Sequence, residues 1–226
     1  KELIKKYCSD ADVIHHLAGI TEVPRTKTEA SKDQDEKIKE VGIKGTQNIL
    51  DVMKKNCKII FPSTHVVYEG INQIRTDIKE DEATKPVLSY SSSKALNEDQ
   101  LKKSGKNFVI LRLGTVYGYS GDSTRMDIMP NLFSKISSQN GELKLFGKGR
   151  QIKSLVPLVD VARAFKYMEE KNHINNEIFN VTKETVTVEQ VGKICKKLNP
   201  RTKLSYTDDE IPNLGFSLSN NKIKKV

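Results

Sequence analysis

Apolar residues in this chain fall into short runs and helical rhythms that alternate with one another. Residues 12–18 (Asp-Val-Ile-His-His-Leu-Ala) are largely apolar and stop at Gly19, which predicts a buried strand. The polar stretch 21–35, with Pro24 inside it, predicts a loop. Ile38, Val41, Gly45, Ile49 and Val52 then recur at gaps of three and four, the rhythm of one helix face, and predict a helix over 34–55. Residues 58–63 (Lys-Ile-Ile-Phe-Pro-Ser) read as a second strand, 70–85 as irregular chain and 89–103 as a second helix. A third strand follows over 107–113, with a turn at 114–118. Strand, helix, strand, helix, strand is the order of a parallel sheet with crossover helices. In such sheets ligands sit beyond the carboxyl ends of the strands, where Gly19, Ser63, Thr64, Gly114 and Thr115 fall.

Beyond Gly121 the rhythm changes. A helix over 128–139, a strand over 143–146 and Gly147-Lys148-Gly149 lead into a strand at 152–156. A helix over 160–170, a strand over 177–181 and a helix over 188–198 complete a smaller lobe of mixed structure. The expected division is therefore 1–120 and 121–226, with core elements interleaved between the two.

At 226 residues, 36% hydrophobic and 30% charged, the chain suits a soluble globular protein with one core and a small second lobe. Apolar runs as short as Val109-Ile110-Leu111 span no membrane, and the opening Lys-Glu-Leu-Ile-Lys-Lys is no signal peptide. Cys8, Cys57 and Cys195 are odd in number and far apart, which points to reduced thiols and a cytoplasmic protein. The four histidines lack metal-ligand spacing, so no metal is expected. The net charge of +9 comes from scattered lysines without aromatic-interleaved basic tracts, which argues against nucleic acid and suits an anionic substrate such as a nucleotide diphosphate.

The chemistry concentrates in Tyr90-Ser91-Ser92-Ser93-Lys94. Residues four apart share a helix face, so the Lys94 ammonium lies near the Tyr90 phenol. A neighbouring cation favours the phenolate, and bringing a phenol from about 10 to about 7 takes roughly 4 kcal/mol. Such a tyrosine is suited to moving a proton on and off a sugar hydroxyl. Spacing alone is weak evidence, because Tyr167 and Lys171 repeat it with nothing catalytic around them.

Further blocks surround that pair in a definite order: Asp12 to Gly19, Gly45-Thr46-Gln47-Asn48-Ile49-Leu50, Phe61-Pro62-Ser63-Thr64-His65-Val66-Val67-Tyr68, Leu111 to Gly118, and Gly147 to Ala164. Together they resemble the extended short-chain dehydrogenase/reductase family, in its NAD-dependent nucleotide-sugar epimerase/dehydratase branch. The resemblance implies a Rossmann-like α/β fold, with a parallel sheet and crossover helices over 1–120 and a mixed α/β substrate lobe over 121–226. It implies Tyr90 as acid/base, Lys94 on the nicotinamide ribose and Thr64 on the reacting oxygen. The cofactor, NAD with NADP not excluded, is then flanked by Leu17, Ala18, Gly19, Ser63, Leu113 and Thr115 as well as by Tyr90 and Lys94. The substrate, a nucleotide-diphosphate sugar, meets Thr64, Thr115, Arg150 and Lys153. A homodimer through the helix bearing Tyr90 is also implied.

Departures from the family pattern refine these expectations. The family's opening strand and Gly-x-x-Gly-x-x-Gly phosphate turn are missing, as is its closing turn, so the sequence reads as a fragment with its N-terminal strands absent. Gly42 stands where many relatives have Asn, Thr115 where many have Asn, and Lys153 where Arg is usual. Glu69 is an extra residue in the turn after Tyr68. His65 and Val66 replace the acid pair of the 4,6-dehydratases, which favours epimerisation or ketone reduction over dehydration. Alternatives are an NAD(P)-dependent 4-keto-sugar reductase and a non-catalytic nucleotide- or RNA-binding protein.

Overall fold

The structure, a computed structural model, describes residues 2–21, 32–71, 73–121, 124–209 and 215–226. In chain order the first elements are α1 (Glu2–Cys8), β1 (Val13–His15), α2 (Lys32–Lys39), a π-helical turn (Glu40–Lys44), α3 (Gly45–Val52), β2 (Lys58–Thr64), β3 (Arg75–Ile78) and α4 (Ser89–Lys103). There follow β4 (Asn107–Leu113), β5 (Thr115–Tyr117), α5 (Met129–Ser138), β6 (Glu142–Leu145), β7 (Ile152–Pro157) and α6 (Leu158–Glu170). The last are β8 (Glu177–Val181), β9 (Glu184–Thr187), α7 (Val188–Leu198), β10 (Lys203–Tyr206) and β11 (Phe216–Leu218). They form two compact units that interleave along the chain. One is Lys1–Gly70, Asp81–Arg112 and Arg163–Phe179; the other is Ile71–Glu80, Leu113–Ala162 and Asn180–Val226.

In the first unit the strands form one sheet in the order β1-β2-β4-β8, and β1 runs parallel to β2 with Val13 opposite Lys58. β2 is buried on both faces, as expected of a strand with helices above and below it. Ile59 and Phe61 point to one side, where Ile49, Leu50 and Met53 of α3 and Leu101 of α4 close the core with Phe108 and Ile110 of β4. On the other face Lys58 donates to the carbonyls of Met168 (3.0 Å) and Lys171 (2.7 Å), capping the end of α6.

In the second unit β5-β7-β9 form a mixed sheet, with β5 parallel and β9 antiparallel to β7. Two parallel pairs, β10 with β6 and β11 with β3, accompany it. Phe133, Leu143, Leu145, Val188 and Cys195 pack together between α5, β6 and α7. Thr187 and Gln190 form a reciprocal cap at the start of α7. Gly149 takes φ +69° with the Glu189 backbone nitrogen 2.8 Å from where a Cβ would stand, so only glycine fits there.

Several sequence expectations need correction. The predicted strand at 12–18 shrinks to three residues of intermediate or greater exposure, because β1 ends the sheet order and has only β2 beside it among the described residues. The predicted loop 21–35 lies mostly outside the described residues, but Lys32 onward is helical. The helix predicted over 34–55 runs without interruption from Lys32 to Val52, with a π turn at Glu40–Lys44 inside it. The 114–118 turn is the strand β5, and β3, within the irregular stretch, pairs with the distant β11. Among the described residues no helix is long and apolar enough to cross a membrane. Cys8, Cys57 and Cys195 are all free.

Candidate active site

The site of the first unit is built where the end of β2 meets α4. Glu69, which the sequence marks only as an extra residue, anchors the helix start. Its Oε1 accepts the backbone N–H groups of Val87 (2.9 Å) and Leu88 (2.7 Å) and the Ser91 hydroxyl. A carboxylate is favoured there by the unpaired N–H groups of the helix start.

One turn into α4, Tyr90 and Lys94 line a single small pocket together with His16, Ala18, Gly19 and Phe61. The Lys94 ammonium donates to the Pro62 carbonyl at 2.8 Å and lies 4.4 Å above the Phe61 ring and 6.0 Å from the centre of the Tyr90 ring. Burial pushes the Lys94 ammonium down to about 8, against a smaller upward pull from Glu98. His16, only 4% exposed, is pushed down to about 4 by burial and by the Lys94 charge, so it is a neutral imidazole at pH 7.

A polar web backs the pocket. The Thr46 hydroxyl donates to the Gly42 carbonyl (2.8 Å) and meets His16 Nε2 at 2.9 Å. Asn97 Nδ2 reaches Thr46 Oγ1 (3.0 Å) and the Gly42 carbonyl (3.1 Å). Gly42 lacks a side chain because there is no room for one: a Cβ would stand 2.5 Å from Ser93 Oγ. Ser93 thus occupies the space that a side chain at position 42 would need.

The other predicted residues are placed as follows. Thr64 is 8% exposed, and its Oγ1 accepts the Val66 N–H at 3.3 Å, capping a short 3₁₀ turn at His65–Tyr68. Ser63 donates its hydroxyl to Glu98 (2.6 Å), so its side chain is committed to the core. Ala18 and Gly19 line the pocket, whereas the Leu17 side chain is 62% exposed. In the second unit, Leu113 ends β4, Thr115 lies on β5 and Lys153 on β7. Thr115 pairs with Leu155, two residues from Lys153, so Thr115 and Lys153 share one face of that sheet. Burial pushes the Lys153 ammonium down, while Arg150 is exposed and donates through Nε to the Gly147 carbonyl at 3.2 Å.

The sequence singles out neither Asn97 nor Glu98, and marks His16 only as a histidine without metal-ligand spacing. Asn97 and Glu98 follow Lys94 by three and four residues, and that helical spacing was the available signal.

The profile of the NAD dependent epimerase/dehydratase family matches residues 1–182. A putative UDP-glucose 4-epimerase of Methanocaldococcus jannaschii is 28% identical over 78% of this chain and 62% of its own length. A UDP-glucuronate 4-epimerase of Thermodesulfobacterium geofontis is 26% identical over 69% of this chain and 49% of its own. The chain therefore spans under two thirds of the length of these curated relatives. The fold matches the UDP-glucose 4-epimerase of Thermotoga maritima, solved with UDP-glucose, at TM-score 0.82 and 24% identity, covering 99% of this chain and 74% of that one. It matches the UDP-glucuronic acid 4-epimerase of Bacillus cereus, solved with UDP-glucuronic acid and NAD, at TM-score 0.80 and 25% identity, covering 98% and 71%. With the family profile covering residues 1–182 of the 226, the chain belongs to the NAD-dependent epimerase/dehydratase family.

Proposed function

We propose that this chain carries the catalytic pair of an NAD-dependent epimerase acting on a UDP-hexose or UDP-hexuronate. The observation that carries the reading is the single pocket in which a desolvated Lys94 ammonium and the Tyr90 phenol stand beside the bare backbone of Ala18 and Gly19. That donor set fits the nicotinamide-ribose end of the cofactor: a buried ammonium, a phenol on the same helix face, and small residues that leave the strand end open.

NAD, when bound, supplies the hydride acceptor and donor. Tyr90 takes the proton of the sugar hydroxyl as it is oxidised and returns it on reduction. Lys94 holds the ribose and, as a cation, favours the Tyr90 phenolate. Thr64 orients the reacting oxygen. Leu17, Ala18, Gly19 and Ser63 flank the cofactor through their backbone, and the family resemblance assigns Leu113 and Thr115 to it as well. Thr115, Arg150 and Lys153 serve the nucleotide sugar, and Lys153 gives the diphosphate a point charge in place of a planar fork. The assembly is a homodimer, as the family resemblance implies, and three free cysteines suit a cytoplasmic setting.

The test is turnover of UDP-glucose or UDP-glucuronate with NAD, the epimers being separated by anion-exchange chromatography. Tyr90→Phe is expected to lower the rate by about 10²–10⁴. Undiminished turnover in that variant refutes the assignment.

A further inference from the structure

Consecutive residues at the end of β2 meet one face of α4. The Phe61 ring lies beneath Lys94, the Pro62 carbonyl accepts from Lys94, and the Ser63 hydroxyl donates to Glu98 at 2.6 Å. Lys94 and Glu98 are one helical turn apart, so these contacts form successive rungs that dock the helix on the strand. Glu98 is 1% exposed and is held by Arg112, itself 2% exposed, through Nε (3.0 Å) and Nη2 (2.7 Å). Arg112 in turn bonds the Tyr68 hydroxyl. Ser63 immediately precedes Thr64, and Tyr68 closes the turn that Thr64 caps, so the web grips the chain on both sides of Thr64. A buried ion pair of this kind gains little stability over a well-packed apolar pair, so its presence calls for another role.

We propose that Glu98 is a positioning residue of the Tyr90–Lys94 pair: its buried carboxylate fastens α4 to the end of β2 and sets a negative charge one helical turn behind the Lys94 ammonium. The consequence for catalysis rests on the epimerase reading; the test does not. Lys94 faces Tyr90 and Glu98 on its own helix, neutral His16 after β1, Ile38 of α2, Gly42 of the π turn, and Phe61 and Pro62 of β2. Glu98 meets Arg112 from β4 and Lys102, 3.8 Å away on α4. Among the described residues Glu98 is thus the acid in that surround, and it opposes the burial that pushes the Lys94 ammonium down.

The experiment is a pH titration of the 226-residue chain labelled at lysine Cε and Nζ, followed by NMR, with Lys94→Arg identifying the Lys94 resonance. In Glu98→Gln the Lys94 midpoint is expected to fall by about half a unit or more, and in Glu98→Asp it is expected to return toward the parent value. If Glu98→Gln does not fold, because it strands a buried Arg112, the double variant Glu98→Gln/Arg112→Met is read against Arg112→Met, which keeps the carboxylate, and the Lys94 midpoint is expected to be the lower in the double variant. An unshifted Lys94 midpoint in whichever variant folds overturns the proposal. Because the titration needs neither cofactor nor sugar, absence of epimerase turnover is a separate result that leaves this one standing.

Discussion

Replacing Lys94 by Met should stabilise the fold while destroying the site. The Lys94 ammonium moves from its ordinary 10.5 to about 8 on folding. A fall of roughly 2.5 units, at 1.36 kcal/mol each, means that holding the charge in the pocket costs about 3 kcal/mol at pH 7. Met keeps the unbranched shape over Phe61 and carries no charge. It leaves the Pro62 carbonyl without its donor, which costs about 1 kcal/mol. The expected net gain is about 2 kcal/mol at pH 7.

The pH dependence has a definite sign. Between about 8 and 10.5 the unfolded chain binds the Lys94 proton and the folded chain does not. The stability of the parent chain therefore rises with pH across that window. The advantage of Lys94→Met is full below about 8 and shrinks to near zero by about pH 10. Urea unfolding of both proteins at pH 7, 8.5 and 10, followed by circular dichroism, measures it. A variant less stable than the parent at pH 7, or a difference that ignores pH, refutes the argument that the pocket holds a costly charge.

Other substitutions probe the surrounding web. His16 is held at about 4 against an ordinary 6.5, so stability should fall by up to about 3 kcal/mol as pH drops through that window; in His16→Gln, acid titration of stability should be correspondingly flatter. Gly42→Ala drives a Cβ to 2.5 Å from Ser93 Oγ and should cost about 1–2 kcal/mol. In a Ser93→Ala background the same change should be neutral or stabilising, as alanine favours the helix, and thermal melts of the four-member cycle read the coupling. Lys58→Met removes the donor to the Met168 and Lys171 carbonyls, with an expected loss of about 1–3 kcal/mol by denaturant titration.

The parts of the fold that local pattern encodes were legible. β2, β4 and α7 stand close to where their apolar pattern places them, and α4 where the sequence reading put a helix. What local pattern cannot encode was missed: β3, β10 and β11 are short strands made by pairing with partners far along the chain. β1 read as a buried strand because its composition is that of one, although it lies at the end of the sheet order. The π turn has no apolar signature either. Its marker is Gly42, whose meaning depends on Ser93 and Asn97, some fifty residues away.

The two Tyr-x-x-x-Lys pairs show what the sequence withheld about the site. In both, four-residue spacing brings the ammonium toward the tyrosine ring, at 6.0 Å for Lys94 and 5.1 Å for Lys171. Proximity is thus a property of any helix and distinguishes nothing. Lys171 lies just beyond the end of α6, and its backbone carbonyl serves Lys58 in capping that helix. Lys94 lies mid-pocket over Phe61, with the Pro62 carbonyl as its acceptor and Glu98 one turn behind. The difference resides in β2, thirty residues upstream, whose end desolvates one lysine and has no counterpart at the other. A proline there donates no N–H to the sheet, yet its carbonyl holds the ammonium, so the strand end that weakens the ladder is the one that shapes the site. Phe61-Pro62-Ser63 and Lys94-to-Glu98 are therefore one device read in two places, and neither half has chemical meaning in the sequence until the fold docks them.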